Sequence, residues 1–344
     1  KQFKTIFAMC QAIIAITVAN RCAILDIVPN FGPCCPDESW HNNQSARKGV
    51  TYFMKENIYI SGFADEISPD FTEQLKTVTS LGMHYISLRS ADGKNIAEYT
   101  PDEVREKLMP RLAQYGVKVS SIGSPVGKVG VEDEAGFAEH LAGLERLCEI
   151  CKLLDCRYIR MFSFFIPHGK DPDSYRDVVI EKLRKFAAVA EKHDVILLHE
   201  NEKDIYGDTG ARCRVIFEAL ASPHFRAAFD FANFVQCGED TEKCWELLRP
   251  YIEYIHIKDA VSHDKENVLC GTGEGKIKAL LTRAIRDEGY EGFLTLEPHL
   301  VLFASLQSLE TEDAANIIKK NKAKDGAEGY AMQYHALREI LDAI

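Results

Sequence analysis

VILLHENE, residues 195–202, sets four aliphatic side chains directly ahead of a histidine, two glutamates and an asparagine. Side chains alternate along a strand, so Ile196, Leu198 and Glu200 share one face while Val195, Leu197 and His199 share the other. Both faces stay apolar until the last residues, as in a parallel strand covered on both sides. The polar groups arrive at the carboxyl end, where parallel α/β sheets build their sites.

Seven further strand-like runs follow the same habit: IYISGF (58–63), MHYISLR (83–89), VKVSSIG (117–123), RYIRMFSFF (157–165), RAAFD (226–230), YIEYIHIK (251–258) and GFLTLE (292–297). Amphipathic stretches separate them, among them 135–154, 175–193, 210–221, 241–249, 276–288 and 328–343. Two helix starts are marked. Ser68 precedes Pro69, a cap followed by proline at the first helical position. Thr100-Pro101-Asp102-Glu103 has the form of a capping box. Eight strands alternating with eight helices predict an α/β fold of parallel βαβ units, closed as a single-domain (β/α)8 TIM barrel over residues 54–344. A doubly wound open sheet is the alternative. It wants a glycine-rich phosphate turn after its first strand, and SGFADEIS is not one. GTGEGKI (271–277) follows a loop and reads as a plain glycine-rich loop. Residues 301–327, which run into KKNKAKDGAEG, read as a solvated, mobile crossing before the last helix.

Residues 1–53 differ from the rest. IFAMCQAIIAITVA (6–19) is short for a membrane span, and with Lys1 and Lys4 ahead of it faintly resembles a secretory signal. NFGPCCPDESWHNNQSARKG has no periodicity, and the regular pattern opens at Met54. This segment is therefore expected to be an unstructured or non-native N-terminal extension. Hydrophobic content of 46% and charged content of 27% are those of a soluble globular protein. The net charge of −11 repels polyanions, which argues against nucleic acid or an anionic membrane as partner. Of the eleven cysteines, Cys148 and Cys151 form a C-x-x-C inside helical LERLCEICKLLDC, with no second pair at zinc spacing. The cysteines downstream of residue 54 thus read as reduced thiols of a cytoplasmic protein.

Four successive strands deliver a metal-competent side chain at or near the carboxyl end. Glu200 closes VILLHE, Asp230 closes RAAFD, His256 shares a face with Lys258, and Glu297 closes GFLTLE. A barrel brings consecutive strand ends into one small circle. Three carboxylates and an imidazole suit one divalent ion, Mn²⁺, Mg²⁺ or Co²⁺, with zinc also accommodated. About two octahedral positions then stay open for adjacent oxygens of a substrate. A hydroxy-ketone chelated there has an acidified α C–H and a stabilised enediolate. Glu200 and Glu297 are the natural acid/base pair. Returning the proton to the opposite face gives an epimer, and to the neighbouring carbon an isomer.

At FADEIS, LRSADGKNI, YIRMFSFF, HENEKDIYGDT, FDFANFV, YIHIKDA, GTGEGKI and LEPH the chain resembles the xylose isomerase-like barrel superfamily of sugar and sugar-phosphate isomerases and epimerases. The resemblance covers about residues 56–300. Members include ketose 3-epimerases, hydroxypyruvate isomerase, inosose dehydratase and the type 2 apurinic endonucleases. It implies that Glu200, Asp230, His256 and Glu297 bind the metal and that the two glutamates exchange protons with a small carbohydrate. Asn233 stands where epimerases often place a histidine, and the additional histidines of the endonuclease branch are not visible. The function expected is isomerisation or epimerisation of a small sugar, sugar phosphate or keto-polyol. Dehydration or elimination at the same site, or a non-catalytic sugar-binding accessory subunit, are the alternatives. Oligomeric state is open, a homo-oligomer included.

Around the four, Arg89, Arg160, Lys258, Asn233 and His299 are candidate substrate-binding residues. Arg89, Arg160 and Lys258 also fit buried ion pairs. His199 faces away from Glu200 and is expected to be a satisfied histidine of the helical shell. Glu202 and Asp208 are expected to fix loop turns, and Phe164-Phe165 to be core or pocket wall.

Overall fold

In the computed structural model, residues 57–304, 306, 318 and 321–344 are described. The extension expected at 1–53 lies outside the described residues, as does most of the 305–320 part of the expected crossing. Eight strands form the main sheet: β1 (Ile58–Gly62), β2 (Tyr85–Leu88), β3 (Lys118–Gly123), β4 (Tyr158–Met161), β5 (Ile196–Glu200), β6 (Phe225–Asp230), β7 (Ile252–Ile257) and β8 (Gly292–Leu296). All neighbours are parallel, in the order β1-β8-β7-β6-β5-β4-β3-β2. One parallel bridge between Phe63 and Ser87 joins β1 to β2 and brings the ring to closure. The result is the expected (β/α)8 barrel. β4 is shorter than RYIRMFSFF suggests, because the Phe162 N–H turns to the Val126 carbonyl and Phe164 is left-handed at φ 67°.

The principal helices are α1 (Phe71–Ser80), α2 (Met109–Tyr115), α3 (Glu134–Leu153), α4 (Arg176–His193), α5 (Gly210–Leu220), α6 (Thr241–Leu248), α7 (Ile277–Arg286) and α8 (Gly326–Asp342). The Thr100 capping box forms as expected, ahead of a π-helical turn at Val104–Leu108. Pro110 lacks the N–H that would continue the ladder there. The expected cap at Ser68 is corrected. α1 starts after Asp70, whose carboxylate accepts from Thr72 and Glu73 N–H at 2.7 and 3.1 Å. Ser68 Oγ instead accepts from the Asp70 N–H. A carboxylate answers the positive end of the helix better than a hydroxyl.

The barrel interior is layered. At the floor Tyr59, Tyr85 and Phe293 pack ring to ring, with centroids 5.1–5.6 Å apart. Barrels usually fill the next layer with Val, Ile and Leu. Here Ser120, Ser121 and Thr295 all place hydroxyls within 3.0 Å of the Tyr254 hydroxyl. Ser61 Oγ and Ser87 Oγ each lie 2.6 Å from a serine of β3. Two positions further along the strands lies the top layer, which carries Phe63, Arg89, Arg160, Glu200, Asp230, His256 and Glu297. The α-helices face outward-pointing apolar residues such as Leu197, Phe229, Ile255 and Leu294.

GTGEGKI is a loop with a structural purpose. The N–H groups of Gly271, Gly273 and Gly275, with that of Ala260, all donate to the Asp259 carboxylate at 2.9–3.0 Å. The described cysteines are free thiols, and burial pushes those of Cys148, Cys237 and Cys270 up to about 12. Among the described residues no helix is long and apolar enough to cross a membrane.

Asp259→Ala strands four N–H donors and is expected to cost about 3 kcal/mol or more in urea unfolding. Asp70→Ala loses only a helix cap, about 1 kcal/mol. Equal losses in the two variants would contradict the role given to Asp259.

Candidate metal centre

β5 and β6 end on Glu200 and Asp230, His256 is the penultimate residue of β7, and Glu297 directly follows β8. Register sets Asp230 beside His256, and His256 beside Thr295 two residues before Glu297. The four side chains are 0–3% exposed, and one ligand atom from each lies within 4.8 Å of the others. That is the span across one cation with donors at about 2.0–2.4 Å.

His256 Nδ1 is 2.9 Å from Glu200 Oε1 and 3.4 Å from Glu297 Oε2. Asp230 Oδ1 accepts from the Asn233 N–H at 2.7 Å, capping the short helical turn Phe231–Gln236. Its Oδ2, like Glu297 Oε2, has no hydrogen-bond partner among the described residues. Buried carboxylate oxygens are rarely left so, and this donor set fits a hard or borderline divalent ion. Glu200, Asp230, His256 and Glu297 would hold it.

The electrostatics agree. Burial pushes the Asp230 carboxyl up to about 8, the Glu200 and Glu297 charges adding to it against Lys258. Burial works against the His256 imidazolium, yet Glu200 and Glu297 raise it to about 9. Burial likewise opposes the charge of Glu297, but Lys258 and His256 hold its carboxyl well below the usual range. Glu200 is held low against burial by His256 and Arg160. In the metal-free chain, Glu200 and Glu297 favour the charged form of His256.

The other candidates fall around this cluster. Arg160 Nη1 is 3.2 Å from Glu200 Oε2, and Arg89 Nη1 is 3.0 Å from Glu297 Oε1. Both therefore take the buried-ion-pair option. Arg89 also binds Asp65 through Nε at 2.9 Å and Glu66 through Nη2 at 3.4 Å. Phe63 lies under both guanidiniums, 4.4 Å from Arg89 and 5.0 Å from Arg160. Gly123 makes room for that ring, since a Cβ there would stand 2.6 Å from it. Lys258 Nζ donates to Asn233 Oδ1 at 2.9 Å and lies 3.9 Å from Asp230 Oδ2. Asn233 Nδ2 in turn donates to the Asn201 carbonyl. His299 is 3.6 Å from both Glu66 and Glu297.

His199 departs from expectation. It is buried in the shell as foreseen, beside Phe217 and Phe225, but neither ring nitrogen has a hydrogen-bond partner among the described residues. Burial lowers the imidazole to about 3, so it is neutral. Asp208 does fix its turn, through Arg212 Nε at 2.9 Å. Glu202 does more than that, since it also pairs with Lys128 at 3.2 Å across two loops. Phe164 is core, stacked on Phe186 at 5.7 Å.

Sequence reading overlooked Asp65, Glu66 and Asn201. The acidic pair was visible inside FADEIS, immediately after the first strand. Asn201 sits next to Glu200, and its side chain clamps the Asp230 backbone with two 3.0 Å hydrogen bonds.

The family model "Xylose isomerase-like TIM barrel" matches residues 75–321. The chain is 33% identical over 101 residues to the 2-epi-5-epi-valiolone 7-phosphate 2-epimerase of Actinoplanes sp., a match that covers 29% of this chain and only 36% of that enzyme. It is 20% identical over 213 residues to the 3-dehydroshikimate dehydratase of Bacillus anthracis, covering 61% of this chain and 74% of that one. A xylose isomerase-like TIM barrel protein from Mycobacterium smegmatis, solved in complex with magnesium, shares the fold with a TM-score of 0.59 and 16% identity, over 83% of this chain and 97% of that one. The extent of the family match, together with the closed ring of eight parallel strands, establishes that the chain belongs to the xylose isomerase-like TIM barrel family.

Proposed function

We propose that residues 54–344 form a divalent-metal-dependent isomerase or epimerase of a small keto-sugar, sugar phosphate or keto-polyol, in a reducing, cytoplasmic setting. The observation that carries this reading is the disposition of Glu200 and Glu297. Each turns one oxygen toward His256 and the other toward a buried arginine. A cation held by Glu200, Asp230, His256 and Glu297 supplies the Lewis acidity that makes a carbon next to a carbonyl acidic.

The chain's own groups do the rest. One glutamate takes the proton from that carbon, and the other delivers a proton to the opposite face or to the neighbouring carbon. Arg89 and Arg160 orient the two carboxylates, while Lys258 and His256 at Glu297, and His256 and Arg160 at Glu200, favour the ionised forms, so a base is ready at neutral pH. The pairs are dry, so their geometry is held without reorganisation of water. Lys258, fixed by Asn233, stands beside Asp230 as a donor to a substrate oxygen.

Dehydration is the second reading. It is favoured by the match to a dehydratase over most of that enzyme's length. The first proton is taken in the same way, and a hydroxyl then leaves from the next carbon as water.

Solvent deuterium exchange at the α carbon tests the assignment on a panel of keto-sugars with manganese present. Glu200→Gln and Glu297→Gln are each expected to lose at least ~100-fold in exchange rate. Full exchange in either variant would end the acid/base role. Products isomeric with the substrate support epimerisation or isomerisation, whereas products lighter by one water support the dehydratase. Removal of the metal with a chelator is expected to abolish exchange and manganese to restore it. A metal-loaded wild type that exchanges nothing across the panel would favour a sugar-binding subunit.

A further inference from the structure

Two unusual features meet at His299. Its backbone is left-handed, φ 47°, a conformation that side chains other than glycine rarely adopt. Its imidazole is 3% exposed, yet neither ring nitrogen has a hydrogen-bond partner among the described residues. The conformation is held in place. Glu66 Oε2 accepts the His299 N–H at 2.7 Å, and the ring stacks on Phe303 with centroids 5.2 Å apart at 21°. Nε2 lies 3.6 Å from Glu297 Oε1 and 3.6 Å from Glu66 Oε1. Buried polar groups nearly always find partners. An unpartnered one on an unusual backbone, beside a candidate reacting carboxylate, marks a place where an outside ligand completes the bonding.

The neighbours restrict what that ligand is. Glu66, Glu297 and His299 are close enough together for a cation. Arg89 already occupies that role, with nitrogens 3.4 Å from Glu66 Oε1 and 3.0 Å from Glu297 Oε1, the two oxygens that face His299. Two positive groups on one pair of buried oxygens repel strongly. An anion is repelled by the carboxylates. What remains is a neutral group able to donate and accept, as an alcohol is.

We infer that His299 hydrogen-bonds a substrate hydroxyl on the Glu297 side of the site, one beyond the two oxygens a chelating hydroxy-ketone presents to the cation. The inference rests on the function proposed above and narrows it. His299 reads one substrate hydroxyl outside the reacting pair.

His299→Phe keeps the ring and its stack on Phe303 while removing both nitrogens. In metal-free protein the variant's Tm is expected to be unchanged or higher, since the ring nitrogens make no hydrogen bond among the described residues. A fall of roughly 2–4 °C or more would show a structural histidine and overturn the inference. Manganese titration of the wild type is expected to find one ion per chain, and two would overturn it. In α-carbon exchange, kcat/KM for D-fructose is expected to drop about tenfold, the loss of roughly 1.4 kcal/mol of binding. That for hydroxyacetone, which has only the chelating pair, is expected to hold. Equal effects on both ketones would sink the inference alone. Exchange of neither by the wild type, with none across the keto-sugar panel, would sink the proposed function on which it stands.

Discussion

Three carboxylates buried together at the mouth of a barrel must be balanced by positive charge, and the top layer of this molecule is organised by that demand. Glu200, Asp230 and Glu297 are almost wholly removed from water, where isolated charges are very costly. His256 answers two of them directly, 2.9 Å from Glu200 and 3.4 Å from Glu297. Arg160 and Arg89 answer the same two from behind. Asp230 Oδ2 has no hydrogen-bond partner among the described residues, only Lys258 at 3.9 Å, and its carboxyl is pushed up to about 8. A divalent ion resolves this imbalance more completely than any side chain present. Metal affinity and the pull on the glutamates are thus two aspects of the same electrostatics.

The scaffold prepares this layer from below. Each barrel strand that carries an ionisable group at its rim has its previous inward residue in a hydroxyl, aliphatic or aromatic layer. Tyr254 is the hub: its hydroxyl gathers Ser120, Ser121 and Thr295, and its ring meets His256 edge-on at 5.8 Å. A hydroxyl layer is more demanding than an aliphatic one, since each group must find its partner in one geometry. That specificity suits a floor beneath a site whose donors must hold still.

The fold was legible because period-two runs repeat along the chain at the spacing of a βα unit. The four ligand candidates were legible for the same reason: each sits at or beside the end of such a run. Their surroundings were not. Asp65 and Glu66 lie in a 3₁₀ turn, Ala64–Glu66, where no periodicity tells which way a side chain points. Their meeting with Arg89 and His299 is a tertiary event between residues far apart in the chain. Alternation placed His199 on the correct face but could not show that Phe217 and Phe225 would surround it, with no hydrogen-bond partner for its nitrogens among the described residues. Ser68 lost to Asp70 as a helix cap because both satisfy the local pattern, and the charge decided between them.

Anomalous diffraction from a crystal soaked in manganese addresses the central claim most directly. A single strong peak bonded at about 2.0–2.4 Å by Glu200, Asp230, His256 and Glu297 is the result this arrangement requires. No peak at the barrel mouth, or one held by other residues while these four remain paired among themselves, would contradict it.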